Sequence, residues 1–198
     1  MTVDTKETDQ TPRWRLLPQI IDDLARDVPA QIITSIPKTD EVEDGFVDFL
    51  DKTLGKGKNF ETLTYVGPSD LRYPILALAA NKAGYKMFWT SPRNSLEAHC
   101  QLVEASQSTI FLTLAYVAPS IHAIIDKMKM RQIVIPELAD WLESKQKPVY
   151  YPFTRTYEES YLDPCMIIHT SGSTPTQFVF LSRLDASADL FVQEFPNP

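Results

Sequence analysis

Between Leu63 and Ile168 the chain alternates short β-branched and aromatic runs with longer stretches whose apolar residues fall at helical spacing, and this alternation constrains the fold more than any other feature. Leu63-Thr64-Tyr65-Val66 reads as a strand, since such side chains suit a pleated surface, and Gly67-Pro68 stops it. Ser69 or Asp70 can cap the next helix, in which Pro74 stays near the first turn; Ile75, Leu78, Ala79 and Lys82 share a face, and Gly84 closes it. Lys86 to Thr90 gives a second strand. Asn94 with Glu97 resembles a capping box for a helix from Ser95 to Ser106, and Ile110 to Leu114 gives a third strand. A helix from about Ser120 to Met130, the strand Ile133-Val134-Ile135, a helix from Glu137 to Ser144 and the run Met166-Ile167-Ile168 complete the series. The expected fold class is therefore α/β, a mostly parallel sheet covered by helices on both faces, with ligands gathering at the carboxyl ends of the strands.

Outside this core the pattern is weaker. Residues 1–14 read as a disordered leader, and Leu16 to Leu24 begin a short helix with Pro18 in the first turn. Ile32 to Ile36 form a β-type run closed by Pro37. Phe46, Val47, Phe49, Leu50 and Leu54 suit one amphipathic helix ended by Gly55 and Gly57. Lys147 to Pro164, with several prolines and tyrosines, reads as a loop over the sheet. In the tail, 175–198, Leu184, Ala188, Phe191, Val192 and Phe195 recur at helical spacing, which predicts a single amphipathic helix.

Composition removes several function classes. A formal charge of −7 over 198 residues offers no basic field to attract nucleic acid, so the aromatic residues Tyr150, Tyr151, Phe153, Tyr157 and Tyr161 are expected to cover apolar surface instead of stacking bases. The polar first residues lack a signal-peptide pattern, and no apolar run approaches the ~18 residues that a membrane span needs. A cytoplasmic protein with no membrane partner is the reading. Cys100 and Cys165 lie far apart in apolar surroundings, as reduced buried thiols would. His99, His122 and His169 stand in no nucleophile-elbow context, and no two histidines or cysteines have ligand spacing on one element, so neither hydrolase chemistry nor a metal site is expected. Arg72, Arg93 and His99 fall near predicted strand ends, where ion-paired or solvated roles explain them more simply than ligand contacts.

The one stretch that suggests ligand chemistry is Met166-Ile167-Ile168-His169-Thr170-Ser171-Gly172-Ser173-Thr174, an apolar run that empties into a hydroxyl- and glycine-rich turn. Converging backbone N–H groups in such a turn can hold an anion, the hydroxyls of Thr170, Ser171, Ser173 and Thr174 add donors, and Gly172 permits close approach. By itself this composition also describes an ordinary turn.

These nine residues resemble the third core motif of the adenylate-forming (AMP-binding) superfamily, which comprises acyl-CoA synthetases, luciferases and nonribosomal peptide synthetase adenylation domains. The form His-Thr-Ser-Gly-Ser-Thr is particularly similar to fungal nonribosomal-synthetase-like enzymes of the carboxylate reductase type. Tyr65 to Tyr73, and Gly84 to Phe88 followed by Ser91-Pro92-Arg93-Asn94-Ser95, agree in the order of the amino-terminal half of such a domain. The resemblance covers residues 15–174 as a partial adenylation domain and leaves 175–198 as a divergent tail.

The resemblance implies an enzyme that activates a carboxylic acid with ATP and Mg²⁺ to an acyl-adenylate and passes the acyl group to a carrier thiol. It places Thr170, Ser171, Gly172, Ser173 and Thr174 on the ATP phosphates and implies no catalytic residue within this chain. The family loop continues Gly-x-Pro-Lys, whereas Pro175, Thr176, Gln177 and Phe178 stand here. A glycine gives way to a residue without an N–H, and a cation to an aromatic ring. The expectation is an incomplete domain that forms no acyl-adenylate alone, its implied partners being a missing carboxy-terminal portion and a carrier domain. The alternative from another class is a non-catalytic interaction module that binds a partner or pairs two copies of the chain.

Overall fold

A computed structural model describes residues 16, 18–19, 39–142, 149–169, 176–183 and 193–196. The expected leader, the β-type run Ile32 to Ile36 and the loop Thr170 to Thr174 lie outside the described residues. Of the helix expected from Leu16 to Leu24, residues 18 and 19 are described and are helical.

Helix α1, Thr39–Leu54, buries Glu43, Phe46, Val47 and Leu50, which share one face. Gly55 ends it in the left-handed region, at φ 79°, with its N–H donating to the Asp51 carbonyl at 2.9 Å. Strand β1, Thr62–Tyr65, helix α2, Arg72–Lys82, strand β2, Lys86–Trp89, helix α3, Leu96–Ala105, strand β3, Ile110–Thr113, helix α4, Pro119–Met128, strand β4, Arg131–Val134, and helix α5, Leu138–Leu142, continue the alternation. After helix α6, Tyr157–Ser160, come strands β5, Pro164–His169, β6, Thr176–Arg183, and β7, Gln193–Pro196.

The sheet order is β4-β3-β1-β2-β5-β6-β7. From β4 to β5 all neighbours are parallel, with Tyr65 opposite Trp89 and Leu112, and Phe88 opposite Ile167. The mostly parallel α/β fold expected from the alternation is what forms. Every residue of β1 is buried, as a central strand with helices on both faces requires.

The period of two divides the core. Met87 and Leu112 point to one face, where Phe46, Val47, Leu50, Ile75, Leu76 and Ala79 pack from α1 and α2. Phe88 and Phe111 point to the other, against Leu102 and Val103 of α3 and Ile121, Ile124 and Ile125 of α4. Each face thus has its own apolar layer.

Three local expectations are corrected. The cap of α3 is Ser95, whose Oγ accepts from the Ala98 N–H at 3.2 Å, while Asn94 instead donates from Nδ2 to Thr90 Oγ1 at 3.2 Å. The Lys147 to Pro164 segment is not all loop: Thr156 and Glu159 form a reciprocal capping box that starts α6. Of its rings, Phe153, Tyr157 and Tyr161 pack around Leu16 and Cys165 and Tyr151 against the α1–α2 layer, whereas Tyr150 is 59% exposed and does not cover the core as expected.

The third correction concerns the tail, which is not one helix. Residues Thr176–Arg183 pair antiparallel with β5, and Gln193–Pro196 pair antiparallel with β6. The physical reason is the run Phe178-Val179-Phe180-Leu181, whose aromatic and β-branched residues favour a strand beside the free edge of β5. Of the helical-period residues, Phe195 lies in β7, and Leu184, Ala188, Phe191 and Val192 lie outside the described residues.

Candidate functional site

The carboxyl ends of β1, β2 and β5 lie side by side, which brings Tyr65, Trp89 and His169 to one edge of the sheet. Residues 170–175 connect β5 to β6, with His169 opposite Val179 across the antiparallel pair. The candidate phosphate-contacting residues Thr170, Ser171, Gly172, Ser173 and Thr174 follow directly on β5 in the chain and lie outside the described residues. Thr176, Gln177 and Phe178, which stand where a Gly-x-Pro-Lys continuation would run, are the first residues of β6 and pair with Pro196, Phe195 and Glu194.

Beneath this edge lies a small polar network. Thr90 follows β2, and its Oγ1 sits 3.1 Å from Nδ1 of His99, a residue on α3 that is 4% exposed. Burial drives the His99 imidazole down to about 4, and the nearby His169 ring adds to the effect, so His99 is neutral at ordinary pH. His169 meets Phe88 edge to face with ring centres 6.2 Å apart. Thr90, Asn94, Ser95 and His99 therefore join β2 to α3 directly beside the end of β5. The sequence reading gave Thr90 no role beyond ending the strand Lys86 to Thr90; its place at that strand's end, nine residues before a histidine on an apolar helix face, was the available signal.

A second cluster fills the space above β1 and β2. Tyr65, Tyr73 and Trp89 pack with centroids 4.8 to 6.3 Å apart. The Tyr73 hydroxyl donates to the Gly67 carbonyl at 3.2 Å, and Gly67 passes so close over the Tyr65 hydroxyl that any Cβ there would overlap it. Burial raises the Tyr65 phenol, while the guanidinium of Arg72 opposes that shift.

Arg72 is committed to structure. It lies 3.2 Å from both Asp70 and Glu137, tying the turn after β1 to the approach to α5, and its side chain is 10% exposed. Arg93 is exposed, and its N–H donates to Ser91 Oγ at 3.3 Å. Of the three polar residues expected near strand ends, Arg72 and His99 are internal fasteners, and none is brought into contact with another. Cys100 and Cys165 are free and buried. Among the described residues no group of histidine, cysteine, aspartate and glutamate side chains is placed to hold a metal, and no helix is long and apolar enough to cross a membrane.

No family model matches the chain. It is 31% identical over 196 residues to a carboxylic acid reductase from Neurospora crassa, the match covering 89% of this chain and 18% of that protein. It is 30% identical over 177 residues to the isocyanide synthase-NRPS hybrid crmA from Aspergillus fumigatus, covering 81% of this chain and 12% of that one. The chain thus spans less than a fifth of the length of either relative. Among solved structures, VinN shares the fold with a TM-score of 0.67 at 13% identity, covering 87% of this chain and 46% of its own. A Mycobacterium tuberculosis fatty acyl CoA synthetase gives 0.52 at 21% identity, covering 72% and 28%.

Proposed function

We propose that the chain belongs to the adenylate-forming superfamily and supplies the amino-terminal α/β part of an adenylation unit without completing the reaction itself. In this reading Thr170, Ser171, Gly172, Ser173 and Thr174 contact the phosphates of ATP through hydroxyls and backbone amides. ATP and its Mg²⁺ supply an electrophilic α-phosphorus to a carboxylate in the superfamily.

The observation that carries the negative half of the proposal is β6. Where the family motif continues Gly-x-Pro-Lys, Thr176 to Phe178 are tied into a strand paired with β7, and no cation stands among them. Without the lysine of the family motif, a phosphate held by Thr170 to Thr174 would rest on hydroxyl and amide dipoles, which do little to offset the charge of a triphosphate. This favours weak nucleotide contact, with no chemical step assigned to these residues. A carrier domain and a carboxy-terminal portion are the partners this reading implies, and the cytoplasm is the compartment. Pairing of two copies is the alternative, and sedimentation of the purified chain separates the two.

Pyrophosphate exchange with Mg-ATP and a panel of aryl, keto and amino acids tests the proposal. No exchange above background is expected from folded protein. Exchange that disappears in Ser171→Ala or Thr174→Ala would show that the turn works without the lysine and would overturn it.

A further inference from the structure

At the opposite edge of the sheet, beside the amino ends of β1 and β2, opens a cavity of about 600 Å³. Its wall carries Lys56, Lys58, Lys82 and Arg155 and no acidic residue. Lys82 is paired with Glu43 and Asp44 at 3.2 and 3.4 Å, and Arg155 with Asp163. Lys56 and Lys58 are exposed and form no ion pair among the described residues, so their charge is available to a ligand. Lys56 Nζ also sits 5.3 Å from the ring centre of Tyr151, whose buried hydroxyl makes no hydrogen bond of ordinary geometry. Proximity to that hydroxyl raises the Lys56 pKa and favours the cation.

The aromatic part of the wall is held in place at a cost. Phe60 adopts φ 51°, a left-handed conformation unusual for a bulky aromatic residue, and Lys86 Nζ fixes it by donating to the Phe60 carbonyl at 2.6 Å. The strain sets the Phe60 ring on the cavity wall, 6.0 Å from the Arg155 guanidinium carbon. Gly57 and Gly84 fix the floor, since the Gly57 N–H donates to the Ala83 carbonyl at 2.8 Å and neither position has space for a side chain. A backbone outlier, uncommitted cations and two rings therefore meet in one concavity.

We propose that this cavity binds a phosphate monoester carried on a planar ring, with Lys56 and Lys58 meeting the phosphate dianion and Phe60 and Tyr151 the ring. The cavity lies beside the amino ends of β1 and β2, and its occupancy does not depend on any adenylation activity. Two ammonium groups match the charge of a monoester dianion, and they carry the attraction alone, because Lys82 and Arg155 are already neutralised by Glu43, Asp44 and Asp163. Rings on the same wall give a planar substituent apolar contact that inorganic phosphate lacks.

The test is a titration of the full chain with phenyl phosphate, followed by amide chemical shifts in two-dimensional NMR, with inorganic phosphate and phenol in parallel. Phenyl phosphate is expected to shift the Gly57 and Gly84 amides saturably and to bind at least tenfold more tightly than either control. Lys56→Gln/Lys58→Gln is expected to weaken binding at least tenfold. Phe60→Gly, which relieves the left-handed strain and so preserves folding, is expected to erase the preference over inorganic phosphate. Absence of saturable shifts at those amides, or unchanged affinity in the double lysine variant, would overturn the proposal.

Discussion

Gly57 and Gly84 cross backbone to backbone, so that a Cβ built on Gly84 would lie 2.6 Å from the Gly57 carbonyl oxygen and one built on Gly57 would strike the Gly84 carbonyl. Gly84 is also held at φ 84° as the chain turns from α2 into β2. Gly84→Ala thus combines left-handed strain with a collision against rigid backbone and is expected to cost ~2–4 kcal/mol. Gly55→Ala is the control, because Gly55 has φ 79° but open space around it and should lose only about 1 kcal/mol. Urea unfolding of the two variants measures the difference.

Stability between pH 4 and 6.5 is expected to depend on His99. Its folded value of about 4 lies below the ordinary 6.5, so in this window the unfolded chain binds a proton that the folded chain does not. Its contribution is therefore complete above pH 6.5 and is lost as pH falls toward 4, with a total on the order of 2–3 kcal/mol for this buried group. His99→Gln keeps polar capacity near Thr90 without a titrating ring. Subtracting its pH–stability profile from that of the parent should leave a step in this window, and parallel profiles would refute the assignment.

The alternation from Leu63 to Ile168 was legible because strand period and helix period each leave a mark that the other cannot imitate, and because both faces of β1 are buried. The tail was misread for a physical reason. Leu184, Ala188, Phe191, Val192 and Phe195 match a helical template, yet Phe178 to Leu181 match a strand at least as well, and the open edge of β5 decides between them. No pattern within 175–198 announces that edge. The α3 cap was legible to within one residue, Ser95 for Asn94, since adjacent polar residues offer equivalent acceptors until the backbone chooses, whereas α2, for which Ser69 or Asp70 was expected, has Leu71 at its N-cap with no side-chain cap bond. Thr170 to Thr174 lie outside the described residues; the network of Thr90 and His99 arises from β2 and α3 packing and leaves no compact signature. The cavity near Lys56 draws on three separated segments, so nothing local reveals it.

Arg72→Met is expected to cost ~1–3 kcal/mol by removing the tie between Asp70 and Glu137. The cost stays moderate because both carboxylates retain access to water, at 31% and 47% exposure. A double-mutant cycle with Glu137→Gln should return a coupling of about 0.5–1 kcal/mol. A coupling near zero would mean that Arg72 acts through Asp70 and its packing on Tyr65 and not through Glu137.

Neither thiol is expected to react in the folded chain. Burial pushes Cys165 up to about 11 against a weaker opposing contact from Asn81, and burial raises Cys100 as well. At pH 8 a disulfide reagent such as Ellman's should label Cys165 only at the rate of global or local unfolding. Labelling that rises tenfold per pH unit without denaturant dependence would instead indicate an accessible thiolate.

The buried charge cluster that joins α1 to α2 should be the most sensitive polar feature of the fold. Lys82 Nζ stands 3.2 Å from Glu43 and 3.4 Å from Asp44, and the three side chains are 1%, 2% and 8% exposed. Removing the ammonium takes an ion-pair partner from two buried carboxylates that lie near each other. Lys82→Met, which preserves most of the apolar stem, is therefore expected to lose ~3–5 kcal/mol. Lys82→Met combined with Glu43→Gln removes one of the two negative charges and should recover part of that loss. Urea midpoints of the single and double variants decide the point: a double variant less stable than Lys82→Met would mean that Glu43 is held by contacts other than the lysine.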